Sequence, residues 1–137
     1  MEIGFIGIGR MGSRMAARLL AAGHRLSIAD ADPAACRPLA ARGAEVAPSP
    51  AAVAGTSDIV LTSLPGPAEV EAVIRGSGGV LEGAQRGSLI AELSTIGPEQ
   101  SRALAQACAA AGLAYIDAPV SNGVGPAETG DLTIMVG

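Results

Sequence analysis

The sequence predicts an α/β domain, a doubly wound and mostly parallel sheet with helices on both faces. Short apolar runs bounded by glycine or proline alternate with stretches whose apolar residues recur every three or four positions. The first run, Ile3 to Ile8, breaks at Gly7, Gly9 and Gly12 and passes directly into a helical stripe of Met11, Met15 and Leu19. Hydrophobic residues make up 49% of the chain, yet Phe5 and Tyr115 are its only aromatics. The core must therefore be Ala, Leu, Val and Ile at the close spacing of helices laid on a parallel sheet. At 137 residues the chain, 1–137, is one domain with room for a real core.

The opening stretch has the spacing G-x-G-x-x-G between a strand and a helix, the context in which that motif signals a dinucleotide site. Gly7 permits the tight turn, Gly9 admits a pyrophosphate close to the backbone, and Gly12 lets the helix pack on the strand. The free N–H groups and positive end of the helix face the phosphates. The helix is expected over Arg10 to Ala22, closed by Gly23. Arg10 lies in the turn within reach of a phosphate, whereas Arg14 and Arg18 read as a solvated face. His24 reads as a turn residue. As the only histidine, it excludes a His-based triad and a multi-histidine metal site.

Arg25 to Ala29 is the second strand. Asp30 at its tip, about 20 residues past the glycine turn, suits a ribose 2′-hydroxyl and so favours NAD over NADP. Asp32 and Pro33 open the next helix, which runs to Arg42 and stops at Gly43. A short strand over Ala44 to Ala47, a small helix ending near Gly55, and a strand over Ile59 to Leu64 follow. Pro65 to Pro67 end that strand at its carboxyl tip, so Leu64 and Pro65 are either a simple turn or a wall of the cofactor site. After a helix near Ala68 to Arg75, Gly76 to Gly79 reads as a surface loop. Val80-Leu81 and the strand Ser88 to Leu93 continue the alternating pattern. Ser94 and Thr95 hold hydroxyls suited to a ribose or carboxylate, to capping the helix that Pro98 opens, or to both. That helix ends near Ala111, and Leu113 to Asp117 is the next strand. Beyond it, Pro119 and Gly123 bracket a turn presenting Ser121 and Asn122. Its hydroxyl, amide and main-chain donors suit a carboxylate, and a plain glycine-rich connection is the alternative.

Net charge is −4, and all nine basic residues are arginines; there is no lysine. Without basic clusters or aromatic platforms the chain does not suit nucleic acid. Cys36 and Cys108 read as buried thiols. No signal peptide or membrane-spanning apolar run is visible, so a cytoplasmic location is expected.

Gly4 to Gly12, Leu64-Pro65, Leu93 to Ile96 and Asp117 to Gly137 together resemble, in order, the motifs of the β-hydroxyacid dehydrogenases. The last segment is most similar to that of the 3-hydroxyisobutyrate dehydrogenases. The resemblance implies a Rossmann fold and hydride transfer between NAD(P) and a short 3-hydroxy acid. It implies that Gly7, Gly9, Arg10, Met11 and Gly12 cradle the pyrophosphate and that Asp30 takes the adenosine ribose. Leu64, Pro65 and Thr95 would lie on the nicotinamide side, and Ser121, Asn122 and Gly123 would bind the substrate carboxylate. Asn122 stands where the family usually has glycine. The family's general acid/base is a lysine on a helix following the segment that ends at Gly137. Its loss would cost roughly 10²–10⁴-fold in rate. The resemblance therefore implies a longer enzyme with a further all-helical domain, forming a homo-oligomer, and a chain inactive by itself. An imine reductase or a non-catalytic nucleotide-binding relative is the alternative.

Overall fold

The computed structural model describes residues Met1–Gly137. Six strands form one parallel sheet: β1 (Glu2–Ile6), β2 (Arg25–Ala29), β3 (Glu45–Val46), β4 (Ile59–Thr62), β5 (Leu89–Glu92) and β6 (Ala114–Asp117). They lie in the order β3-β2-β1-β4-β5-β6. The chain moves outward from β1 in one direction and then returns to continue from β1 in the other. The carboxyl ends of β1 and β4 therefore meet at the switch point where ligands of open α/β sheets collect.

Alternating side chains along the strands give the sheet two separate cores. Ile3, Phe5, Leu26 and Ile28 pack beneath α1 (Gly12–Ala21) and α2 (Pro33–Ala40). On the other face Ile6, Val60 and Ile90 pack beneath α3 (Pro50–Gly55), α4 (Pro67–Arg75), α5 (Val80–Gly83) and α6 (Pro98–Ala110). The register explains the sorting, because Phe5 pairs with Ile28 and Ile90 pairs with Val60 and Tyr115. Paired residues of neighbouring strands share a face. Both cysteines are buried, Cys36 in the first core and Cys108 in the second.

The punctuation of the sequence translates directly. Proline occupies the first turn of α2, α3, α4 and α6, where its fixed φ and missing N–H cost nothing. Gly23, Gly43 and Gly112 follow α1, α2 and α6 at φ 87°, 100° and 78°. Asp32 caps α2 by accepting from the Ala34 N–H at 2.9 Å, as expected.

Several elements differ from the sequence reading. β1 ends at Ile6 and α1 begins only at Gly12, so the glycine turn takes up the residues between. Val80 to Gly83, given no element type from sequence, is a short helix. Four residues are too few to show a period, and the fully buried Val80 anchors the turn against α3. The stretch after β6 is not an open loop. It forms β7 (Val120–Ser121), α7 (Val124–Thr129) and β8 (Thr133–Ile134), with β7 and β8 antiparallel. Gly125 and Pro126 concealed α7, which is held by burial of Ala127 against the first core. Arg14 is not a freely solvated residue. Its Nε lies 2.6 Å from Glu128 and ties α1 to α7.

Candidate functional site

The glycine turn occupies the tip of β1 at the switch point. Gly7 has φ 93°, and a side chain there would stand 2.2 Å from the Ser63 carbonyl oxygen at the tip of β4. Gly12 is buried, and a Cβ on it would stand 1.9 Å from the Gly7 carbonyl oxygen. These two glycines permit contacts within the protein. Gly9 differs, since a Cβ there would meet nothing within 4 Å. A methyl group at that position would project from the exposed turn into the space above it.

The donors of the turn complete a cradle. Gly7 N–H is spent on the Ala29 carbonyl at 3.0 Å, and Ile8 N–H on the Asp30 carboxylate at 2.6 Å. The N–H groups of Gly9, Arg10, Met11 and Gly12 meet no protein acceptor. Four donors at the start of a ten-residue helix, beside an open space, fit the pyrophosphate of a dinucleotide. Met11 is half-buried against the first core, while Arg10 is exposed and its carbonyl accepts from Arg14 at 2.6 Å.

Asp30 sits at the tip of β2 beside this turn. One carboxylate oxygen accepts from Ile8 N–H and the other from Asp32 N–H at 2.8 Å. The side chain is thus fixed at the mouth of the cradle, half-exposed, with lone pairs left for further donors.

The tips of β4 and β5 form the other wall. Leu64 packs against the second core and contacts the Gly7 position, while Pro65 is exposed beside it. Thr95 is exposed at the end of β5, but Ser94 is buried. The capping role that the sequence allowed these hydroxyls is not observed. Gly97 is the N-cap of α6, with no side-chain hydrogen bond. Ser94 Oγ instead accepts from Leu64 N–H at 2.8 Å, linking the two tips.

The sequence reading overlooked Glu92. It is fully buried, with no cation beside it. Thr62 Oγ donates to one carboxylate oxygen at 2.6 Å and Ser94 N–H to the other at 2.7 Å. Burial pushes its pKa above the usual glutamate range, partly offset by these hydrogen bonds. The signal available in the sequence was an acidic residue inside an otherwise apolar strand. Tyr115, on the same face of β6, has a buried hydroxyl without a hydrogen-bond partner, and its pKa is pushed up to about 12, chiefly by burial.

The turn at 121–123 is reached through Ala118, buried in the same core as Ile8 and Met15. Asn122 has φ 82° and Gly123 φ 77°. Asparagine is among the few side chains that tolerate a left-handed backbone, which accounts for its standing in place of a glycine. Its amide nitrogen donates to Thr133 Oγ at 2.9 Å, so this added donor already braces β7 against β8. The site residues thus occupy one edge of the sheet, and the 121–123 turn hangs beyond the end of β6. No cluster of His, Cys, Asp and Glu suits a metal ion, and no helix is long and apolar enough to cross a membrane.

Comparison with known proteins bears this geometry out at the level of the fold and cofactor class. Residues 2–137 match the family model described as the NAD binding domain of 6-phosphogluconate dehydrogenase. The chain is 42% identical over 135 residues to the mitochondrial 3-hydroxyisobutyrate dehydrogenase of Mus musculus, covering 98% of this chain and 40% of that protein. Among solved structures, the Mycobacterium tuberculosis 3-hydroxyisobutyrate dehydrogenase with L-serine superposes at TM-score 0.90 and 37% identity, over 99% of this chain and 46% of that one. Psf3, in complex with NADP+ and 2-OPP, gives TM-score 0.93 at 32% identity, over 98% of this chain and 48% of that one. An imine reductase from Myxococcus stipitatus, in complex with NADP+, is 24% identical at TM-score 0.85, over 92% of this chain and 43% of that one, and shares the fold alone. The chain thus spans less than half the length of these relatives. Cradle, switch point and matched sequence agree that this is an NAD(P)-binding domain of the family described as the NAD binding domain of 6-phosphogluconate dehydrogenase, and that it is 3-hydroxyisobutyrate dehydrogenase-like.

Proposed function

We propose that the chain is the cofactor-binding portion of a dehydrogenase that transfers a hydride between NAD and a short 3-hydroxy acid such as 3-hydroxyisobutyrate. The choice of NAD rests on Asp30. Its carboxylate is locked beside the glycine turn by Ile8 N–H and Asp32 N–H, where it can accept from ribose hydroxyls and repels a 2′-phosphate. No arginine stands beside it in sequence to neutralise that phosphate.

In this reading the free N–H groups at Gly9 to Gly12 hold the pyrophosphate, and Arg10 adds a positive charge at the rim. Leu64, Pro65 and Thr95 line the nicotinamide side. Ser121, Asn122 and Gly123 orient the substrate carboxylate. When bound, the nicotinamide accepts or gives up the hydride; these residues hold and orient the two reactants. The family resemblance makes a lysine the group that takes the substrate's hydroxyl proton, and the chain contains no lysine to fill that role. The 137 residues alone are accordingly expected to bind cofactor without turning over substrate.

Calorimetric titration with NADH and NADPH tests the assignment. Tighter binding of NADH is expected, and Asp30→Asn should reduce the preference by about tenfold or more. Two unit charges at 4 Å interact by about 1 kcal/mol in water and about 4 kcal/mol near a protein surface. Clear preference of the unaltered protein for NADPH would overturn the assignment. The imine reductase alternative is separated by supplying the full-length protein with a cyclic imine and with 3-hydroxyisobutyrate.

A further inference from the structure

Glu92 is the least expected residue of the domain. A carboxyl group buried this completely, without a cation, is costly to hold at the tip of an inner strand. Its surroundings use every part of it. One oxygen accepts from Thr62 on β4 and the other from Ser94 N–H beyond β5. Its main-chain carbonyl accepts from Ala118 N–H beyond β6 at 2.8 Å. Ser94, pinned through its N–H, offers its hydroxyl to Leu64 N–H. One residue therefore joins the tips of β4, β5 and β6. The segments leaving those tips carry Leu64 and Pro65, Thr95, and the 121–123 turn.

Sheet hydrogen bonding alone does not explain this arrangement. The ladder between β4 and β5 ends at Thr62 and Glu92, with Leu93 N–H donating to the Thr62 carbonyl as its last rung. Beyond that rung the two tips are bonded through a side chain, Ser94 Oγ accepting from Leu64 N–H, and Ser94 is itself held by Glu92, which also accepts from Thr62 across the last pair of the ladder. An aliphatic residue at 92 would fill the same space and leave Ser94 N–H and the Thr62 hydroxyl buried without partners.

We propose that Glu92 is a positioning residue for the nicotinamide half of the cofactor, holding the β4 and β5 tips as one rigid wall through Thr62 and Ser94. The inference rests on the reading of Leu64, Pro65 and Thr95 as the nicotinamide side. It makes no use of the glycine turn or Asp30, which that reading assigns to the pyrophosphate and the adenosine ribose, both retained in ADP-ribose. Glu92 acts through these neighbours and touches neither cofactor nor substrate.

This separation supplies the test. The affinities of NAD and of ADP-ribose, which lacks the nicotinamide, are measured by calorimetry for the unaltered protein, Glu92→Gln and Ser94→Ala. NADP and its nicotinamide-free fragment are run in parallel. Glu92→Gln keeps the shape and one acceptor oxygen, and Ser94→Ala cuts the link to Leu64 while leaving Glu92 in place. The expected result is a roughly tenfold loss of NAD affinity in both variants with ADP-ribose binding unchanged. Altered nicotinamide fluorescence of bound NADH should accompany it. Equal losses for both ligands, or no loss for either, would overturn the proposal, since a merely structural role predicts one or the other. If the unaltered protein gains nothing from the nicotinamide, the nicotinamide-side reading itself fails and the proposal with it. That failure shows before any variant is made.

Discussion

Alanine at Gly9 and alanine at Gly12 should both weaken cofactor binding but differ in stability, although the glycines lie three residues apart in one motif. At Gly12 the new Cβ would stand 1.9 Å from the Gly7 carbonyl oxygen. That is more than about 1 Å short of an ordinary carbon–oxygen contact of roughly 3.3 Å. The obstacle is backbone, so the start of α1 has to move off the β1 tip. Overpacking of this kind costs about 1–3 kcal/mol, or roughly 4–12 °C in Tm for a chain of this size. The displaced N–H groups also lose their aim. Each hydrogen bond to a charged group is worth about 1.5–3 kcal/mol, so losing one or two weakens cofactor binding by about 10²-fold. Gly9 has no neighbour within 4 Å and a φ outside the left-handed region. Gly9→Ala should leave Tm unchanged or raise it slightly, because alanine restricts the unfolded chain by about 0.4–1 kcal/mol. Its methyl group still enters the space above the turn, and NADH affinity should fall at least about tenfold. Circular dichroism melts and calorimetric titration read both quantities. A Gly9→Ala protein that melts like Gly12→Ala, or that binds cofactor undiminished, would refute the assignment of Gly9 to the ligand and Gly12 to the fold.

Tyr115 is the only tyrosine and there is no tryptophan, so phenolate absorbance reports this residue alone. Its ionisation should centre near 12, because burial raises it; a midpoint at the ordinary phenol value with the fold intact would contradict its burial. The raised pKa of Glu92 has a definite sign in stability. The folded state holds the proton more tightly than the unfolded state, so the protein loses stability relative to Glu92→Gln as pH rises from the usual glutamate range to the folded pKa. Melting both proteins across that window should show the gap changing in the direction of the variant; a constant gap would exclude the shift. At the 121–123 turn, Asn122→Gly should change stability by less than about 1 kcal/mol, whereas Asn122→Val should cost about 1–2 kcal/mol at φ 82°. Equal melting of the two would argue against the left-handed geometry.

Much of the fold was legible because its signals are local. A glycine or proline at nearly every junction marked the boundaries, and Arg25–Ala29 and Pro50–Gly55 end where their flanking residues say they should. The cofactor edge was legible for the same reason, since Gly7, Gly9, Gly12 and Asp30 each owe their role to backbone shape or strand position. What escaped depends on contacts between distant residues. α7 exists because Ala127 and Glu128 find α1, more than a hundred residues earlier. Glu92 matters because Thr62 stands opposite it on β4, 30 residues away. Neither partner can be read from local periodicity. The Ser94 hydroxyl suits a ligand or the cap of the next helix from sequence alone, because both uses are local; its partner, Leu64 N–H, follows another strand.

The division of the interior into two unconnected cores has a consequence for how such a domain can diverge. Leu64 and Ile96, beside the candidate nicotinamide wall, are rooted in one core; Ala118, Val120, Ala127 and Leu132, which carry the 121–123 turn, are rooted in the other. Substitutions in the two sets lie on opposite sides of a sheet and in separate apolar clusters, so with Glu92 unchanged their packing effects on stability should sum nearly independently. A lineage could then rework the segment facing one reactant while the wall facing the other stays in register, without passing through an unfolded intermediate sequence.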